Sequence, residues 1–474
     1  MRVYLINPSN SLVSLANVKD SRWNRYRVWK PLGLLVLAGL TPPEWEVRIF
    51  DENLGRTDFT DLPRPDLVGL TAFTSQASRA YEIATEFRSV GVPVVMGGIH
   101  ATMCPKEAAR YADAVVTGEA EGVWPSVLHD VARGQLQPMY EGGHADMAHV
   151  PLARHDLLNS GYAFGSVQTT RGCPLDCTFC SVSSFNGKRY RHRPIEHVVE
   201  ELRAIREKWV LVVDDNLIGT GRAHIERAKD LFRAIIRARL KKKWICQVTI
   251  NMADDPELLD LAARAGCCGV FIGFESCTAQ GLAEVGKKYN LLNERDFRAS
   301  VREFHKRNIL VVGSFIMGLD TDEAGIGLQI AETAEEYGID ILNVLFLTPL
   351  PGTRLWDALE AEDRIAANRF PDEWRYYTLG FPTARYKNLS RPEILREMIS
   401  CEGRFYSLRS IGRRAIRGLL RWRRPILSLV SNLSYRKNAK LTLGLYKTMM
   451  PQDRVSDIAG AALLRPVNSG AYSE

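Results

Sequence analysis

The sequence is poor in the features that would place a chain in a membrane or outside the cell. Its longest apolar run, Leu32 to Leu40, is too short to span a bilayer. The opening residues, MRVYLINPSN, read as a short strand and lack the long apolar stretch and small-residue cleavage site of a secretory signal. Its 9 cysteines form no disulfide framework, because three are clustered and the others (Cys104, Cys246, Cys267, Cys268, Cys277, Cys401) are scattered. A reducing, cytoplasmic setting is expected.

A fourth ligand is also missing. TTRGCPLDCTFCS (169–181) holds Cys173, Cys177 and Cys180 within eight residues. Structural zinc needs four ligands in a closed tetrahedron, and no neighbouring Cys-x-x-Cys pair completes one here. An iron–sulfur cubane fits better, since each iron takes one thiolate and a tight loop can supply three. One iron is then left open to a substrate or cofactor.

At 474 residues the chain exceeds what one core usually supports, so two or three domains are expected. Apolar and charged fractions of 46% and 25% are those of an ordinary globular protein. The net charge of +7 is carried by the tail: from Cys401 onward there are 14 Lys and Arg against 4 Asp and Glu. Between Arg404 and Arg424 lie eight arginines and no acid, interleaved with Leu, Ile and aromatic residues including Trp422. Such a cationic amphipathic helix suits a membrane interface and, equally, a helix packed on the protein with its arginine face solvated. Nucleic acid ranks last, because no RNA-binding pattern accompanies the arginines.

The pattern of the first 135 residues is α/β. Short β-branched runs (2–7, 45–51, 66–73, 92–98, 113–119) alternate with amphipathic stretches, which argues for a parallel sheet covered on both faces. Residues 136–165 read as a linker. Six further strand–helix repeats across 166–355 suggest a partial barrel with its chemistry at the strands' C-terminal ends. Residues 356–474 lose the strand pattern and read as mainly helical.

With its aromatic residue, the cysteine motif Cys173, Cys177, Phe179, Cys180 after SVQTT resembles the hallmark of the radical S-adenosylmethionine (radical SAM) superfamily, set after the first strand of a partial (β/α)6 TIM-type barrel. The resemblance implies a 4Fe-4S cluster on Cys173, Cys177 and Cys180. S-adenosyl-L-methionine would chelate the open iron and be cleaved reductively to a 5′-deoxyadenosyl radical. It further implies an external electron donor such as flavodoxin or ferredoxin. By position, Phe179, Asp214, Asp215, Glu275, Ser276, Gly313 and Ser314 resemble the family's contacts to S-adenosylmethionine. On the residues alone, Asp214 and Asp215 could instead cap a helix and Glu275 could pair with Lys287. TPLPGTRLW (348–356) resembles a loop common to one branch of the superfamily and carries no assigned role.

The first domain resembles the Rossmann-like cobalamin-binding domains that precede such barrels. Thr71, Ser75, Gly97, Gly98, His100, Gly118 and Glu119 fall at or near strand ends, as the cobalamin contacts of such domains do. The loop after the first strand, NPSNSLVSL, has no histidine, so bound cobalamin would lack a protein histidine ligand. The resemblance implies methylation of an unactivated carbon or phosphorus, and the basic amphipathic tail suggests a hydrophobic or lipid-like small molecule as the substrate. Related architectures carry out oxidative cyclisation, as in the anaerobic magnesium-protoporphyrin monomethyl ester cyclases, or ring rearrangement. A non-catalytic cobalamin or redox sensor is the alternative of another class. No catalytic residue is assigned. Residues 12–31 are expected to help shape the substrate pocket, and the basic tail would allow peripheral contact with the inner face of a membrane.

Overall fold

The computed structural model describes residues 1–10, 12, 29–158, 161–287, 289–290, 295–420 and 425–448. Most of the 12–31 segment and the tail beyond Thr448, with Trp422 and its arginine neighbours, lie outside them.

Strand β1 (Arg2–Asn7) is central to the first sheet, because its β-branched and aromatic side chains are buried on both faces. β2 (Glu46–Asp51), β3 (Leu67–Thr71), β4 (Val94–Gly97), β5 (Ala114–Thr117) and β6 (Met139–Glu141) join it in the order β2-β1-β3-β4-β5-β6, and every pairing is parallel. The chain reverses its winding between β1 and β3, the switch point at whose strand ends ligands bind in open α/β sheets. The helix Ala77–Ser89 shows why these sequences pack so: Ala80, Ile83, Ala84 and Phe87 recur at helical spacing and are buried on the sheet. Each fully buried aliphatic or aromatic side chain contributes about 1.5–3 kcal/mol.

β6 lies within the stretch read as linker. It is three residues long with exposed flanks, so it carries no alternating pattern to betray it; only its ladder with β5 makes it a strand.

The second sheet comprises β7 (Phe164–Val167), β10 (Trp209–Val212), β11 (Lys243–Gln247), β12 (Cys267–Glu275), β13 (Leu310–Met317) and β14 (Ile341–Phe346), paired in parallel and in chain order. β7 and β14 are its edges. Two-residue strands β8 (Thr170–Arg171) and β9 (Arg191–His192) form a separate antiparallel pair flanking the cysteine motif. The expected first strand SVQTT is thus split after Val167.

The C-terminal region begins within the helix Arg354–Ala361 and continues as an irregular strap. Trp374 stacks on Phe370 with ring centroids 3.6 Å apart, meets His100 edge-on, and donates its indole N–H to Glu107 at 2.8 Å. Ser78 and Asn10 donate to the carbonyls of Pro371 and Arg375, tying the strap to the first domain. Three helices follow, Arg391–Phe405, Leu408–Leu420 and Pro425–Thr448.

Candidate functional site at the junction of the two sheets

The loop after β8 carries all three motif cysteines, none of them disulfide-bonded. It is pinned from both sides: Cys173 N–H donates to Gly187 O, Thr178 N–H to Val285 O, and Leu355 N–H to Thr178 O. Gly286, with φ of +73°, lets the loop come close, since a Cβ there would sit 2.9 Å from Asp176 O. Burial pushes the thiols of Cys177 and Cys180 up to about 11, while the nearby Lys287 ammonium pulls them down. Among the described residues no His, Cys, Asp and Glu group is arranged for a single metal ion. Three free thiols on one pinned loop, each within electrostatic reach of another, fit a multi-iron cluster instead.

Around the loop, the expected contacts divide. Asp214 is fully buried and accepts from Thr169 N–H at 2.5 Å and Thr169 Oγ1 at 2.6 Å, so it fastens β10 to the start of the motif. Asp215 accepts from Gly172 N–H and from Asn186 Nδ2, both at 2.9 Å. Glu275 ends β12 in the left-handed region, φ 68°, and pairs with Lys287 at 3.1 Å, both side chains buried. That pairing is the alternative the residues alone left open. Ser276 is buried beside Thr278, which caps the following helix. Phe179 packs on Val285, Ile316, Leu319 and Leu347 at the barrel strands' ends. Gly313 and Ser314 point to opposite faces of β13. A Cβ at Gly313 would meet Ile339 at 2.4 Å, so its glycine leaves room for the connection that enters β14, whereas Ser314 lies beside Asn343 of β14.

A cavity of about 490 Å³ opens between the two domains, at the C-terminal ends of β3, β4 and β5. Thr71, Gly97, Gly98, Gly118 and Glu119 line it from the first domain, and Gln168, Arg171, Phe185, Asn186 and Asp215 from the second. Its walls are otherwise largely apolar, with Leu34, Leu37, Val116 and Trp124. Small backbone-presenting residues facing an apolar hollow suit a flat macrocycle, so the cavity fits cobalamin. None of the described lining residues is a histidine.

His100 and Ser75, both proposed as cobalamin contacts, do not line this cavity. His100 is completely buried on the other side of its short helix, with Nε2 2.8 Å from the Tyr81 hydroxyl and 3.5 Å from Glu107. Ser75 offers its carbonyl to Asn10. Proximity to a strand end in the sequence did not say which residues reach the cavity wall.

Glu119 does more than line the cavity. Its carboxylate is buried and pairs with Arg171 at 2.8 Å and with Arg191, while Glu121 takes the other arm of Arg171 at 2.5 Å. Burial would push the Glu119 carboxyl up, but the Arg191 hydrogen bond and the Arg171 charge hold it below the usual carboxylate range. Arg171 and Arg191 escaped the sequence reading, and Lys287 entered it only as a partner for Glu275. Arg171 stood inside the quoted motif, but nothing in its local pattern announces a partner fifty residues upstream.

Residues 167–324 match the family model of the Radical SAM superfamily, and residues 22–128 match that of the B12 binding domain. A bacteriochlorophyllide d C-12(1)-methyltransferase of Chlorobaculum tepidum is 29% identical over a stretch covering 88% of this chain and 90% of its own. The chain belongs to the cobalamin-dependent radical SAM methyltransferases. A hopanoid C-2 methylase of Rhodopseudomonas palustris is 30% identical over 71% of this methyltransferase and 65% of its own length. The structure of the cobalamin-dependent S-adenosylmethionine radical enzyme OxsB, with aqua-cobalamin and S-adenosylmethionine bound, shares the fold with a TM-score of 0.65 at 16% identity, covering 94% of this chain and 75% of that one. The enzyme's cofactors are accordingly a 4Fe-4S cluster, S-adenosylmethionine and cobalamin. No helix among the described residues is long and apolar enough to cross a membrane.

Proposed function

We propose that this enzyme transfers a methyl group to an unactivated carbon of a hydrophobic small molecule, with phosphorus as the rarer acceptor. When bound, the cluster and S-adenosylmethionine supply hydrogen-atom abstraction, and cobalamin supplies the methyl group. The observation that carries the proposal is that one set of residues serves both places. Arg171 and Asp215 line the cavity, and Asp215 also holds Gly172, the residue before Cys173. The proposal seats the substrate between the cavity and the cluster loop.

Cys173, Cys177 and Cys180 would hold the cluster. To S-adenosylmethionine the proposal assigns Glu275, Ser276, Ser314 and Phe179. Thr71, Gly97, Gly98 and Gly118 would present backbone to cobalamin. The mostly apolar lining excludes water and favours a hydrophobic acceptor. The curated relatives named above act on a bacteriochlorophyllide and a hopanoid, which supports that substrate class. Reductive cleavage of S-adenosylmethionine consumes an electron, so the proposal includes an external donor of the flavodoxin or ferredoxin type.

The test is anaerobic turnover of the cobalamin-supplied enzyme with trideuteromethyl S-adenosylmethionine and hydrophobic candidates. Product bearing the deuterated methyl group is expected. Loss of substrate hydrogens without label would replace methyl transfer with oxidative cyclisation, and absence of any 5′-deoxyadenosine would restore the sensor reading.

A further inference from the structure

The helices Leu408–Leu420 and Pro425–Thr448 form a hairpin against the barrel. Arg414 donates to Asn432 Oδ1 at 2.7 Å across it, and Asn432 Nδ2 donates to Asp340 O at 3.0 Å. The inner sides of both helices are thereby accounted for, with Ile411, Ser428 and Tyr446 buried.

The outer side is not that of a helix pair facing water. Of the twelve exposed large apolar side chains among the described residues, six lie here: Leu408, Ile416 and Leu419 on the first helix, and Ile426, Leu429 and Leu433 on the second. They are ordered. At about 100° per residue, Leu408, Ile416 and Leu419 share one arc of the first helix, and Arg409, Arg413 and Arg417 occupy the arc beside it. On the second helix Ile426, Leu429 and Leu433 form one stripe, and the exposed Lys437 and Lys440 continue it.

Charge decides what covers this face. Between Glu402 and Asp453 the sequence holds 12 Lys and Arg and no acid; Arg404, Arg413 and Arg414 pair with Glu335 of the barrel, while Arg409, Arg417, Lys437 and Lys440 are exposed beside the apolar stripes. A protein partner's apolar patch would satisfy the aliphatic side chains, but an anionic lipid surface satisfies both sets at once, at two depths.

We propose that the outer face of this hairpin docks on an anionic lipid surface, with the six aliphatic side chains in the acyl boundary and the flanking arginines and lysines among the headgroups. The site is separate from the cofactor cavity, and the proposal goes beyond the methyl-transfer reading without depending on it.

The test is co-sedimentation of the full-length protein with vesicles of phosphatidylcholine alone and of phosphatidylcholine with about one third phosphatidylglycerol. Binding at least about tenfold stronger to the anionic vesicles, weakened by added salt, is expected. Leu419→Asp with Ile426→Asp, and separately Arg409→Glu with Arg417→Glu, should each lower that binding by about tenfold. Unchanged circular dichroism and cobalamin retention would show that these exposed-site variants fold. Equal binding to both vesicle types, no binding, or unaffected variants would overturn the proposal. So would a concentration-dependent dimer abolished by Ile426→Asp, which would give the face to a second copy. Vesicle binding needs no turnover, so failure of methyl transfer and failure of docking are read separately.

Discussion

Glu119 at the cavity wall and Arg171, two residues before Cys173, are joined by a buried ion pair of 2.8 Å. Together with Arg191, this pair locks the cobalamin-binding domain to the strand pair that flanks the cluster motif. Breaking a buried ion pair leaves an uncompensated charge, which outweighs what an exposed pair would contribute.

Glu119→Gln should therefore destabilise the protein by about 3 kcal/mol, toward the lower end for a buried pair because Arg171 keeps Glu121. Its carboxyl lies below the ordinary range in the folded protein. Its contribution is thus present above the unfolded carboxylate value, about 4.3, and is lost as pH falls through the lowered folded value. Denaturant unfolding of both proteins across pH checks this: the curves should differ at neutral pH and converge in acid. Equal stability at neutral pH would refute the clamp.

Gly118→Ala tests the cavity. Gly118 has φ of +74°, and a Cβ there would sit 2.8 Å from backbone atoms of Gly143. Left-handed strain costs about 1–3 kcal/mol for other residues, and the crowded turn must shift the adjoining Glu119. Cobalamin retained per chain, measured by absorbance, should fall severalfold while iron content after reconstitution is kept. Normal cobalamin retention would show that this turn does not shape the cofactor's seat.

Glu402 makes the C-terminal helices sensitive to pH. Burial pushes its carboxyl up to about 7. It lines a small cleft with Tyr406 of its own segment and Arg436 and Lys440 of the last helix. Folding binds a proton between the unfolded value, about 4.3, and about 7, so stability falls as pH rises through that window. Glu402→Gln should flatten the dependence and stabilise the protein by about 2 kcal/mol at pH 8. Thermal midpoints at acid and alkaline pH measure it, and an unchanged slope would count against a buried, protonated carboxyl.

Much of the site was legible because its signals are local. Cys173, Cys177 and Cys180 sit within eight residues, so their spacing alone puts three thiols on one loop. Gly97, Gly98 and Gly118 follow strands whose hydrophobic runs mark their ends, and the structure sets all three on the cavity wall. His100 and Ser75 follow the same rule of position, yet neither lines the cavity: a short helix aims the His100 ring at Tyr81, and the Ser75 carbonyl accepts from Asn10. Asp214 and Glu275 end their strands as expected, but each is taken by a partner within the barrel, Thr169 and Lys287.

The sequence by itself determined the two parallel sheets, the three-cysteine loop and the absence of a histidine after β1, since periodicity and short motifs are written in neighbouring residues. Only the tertiary structure decided that β6 belongs to the first sheet, that Glu119 closes on Arg171 and Arg191, and that six aliphatic side chains face outward on the last helices. Those facts depend on which surfaces pack when distant segments meet, and an amphipathic pattern is the same whether its apolar edge is buried or left bare.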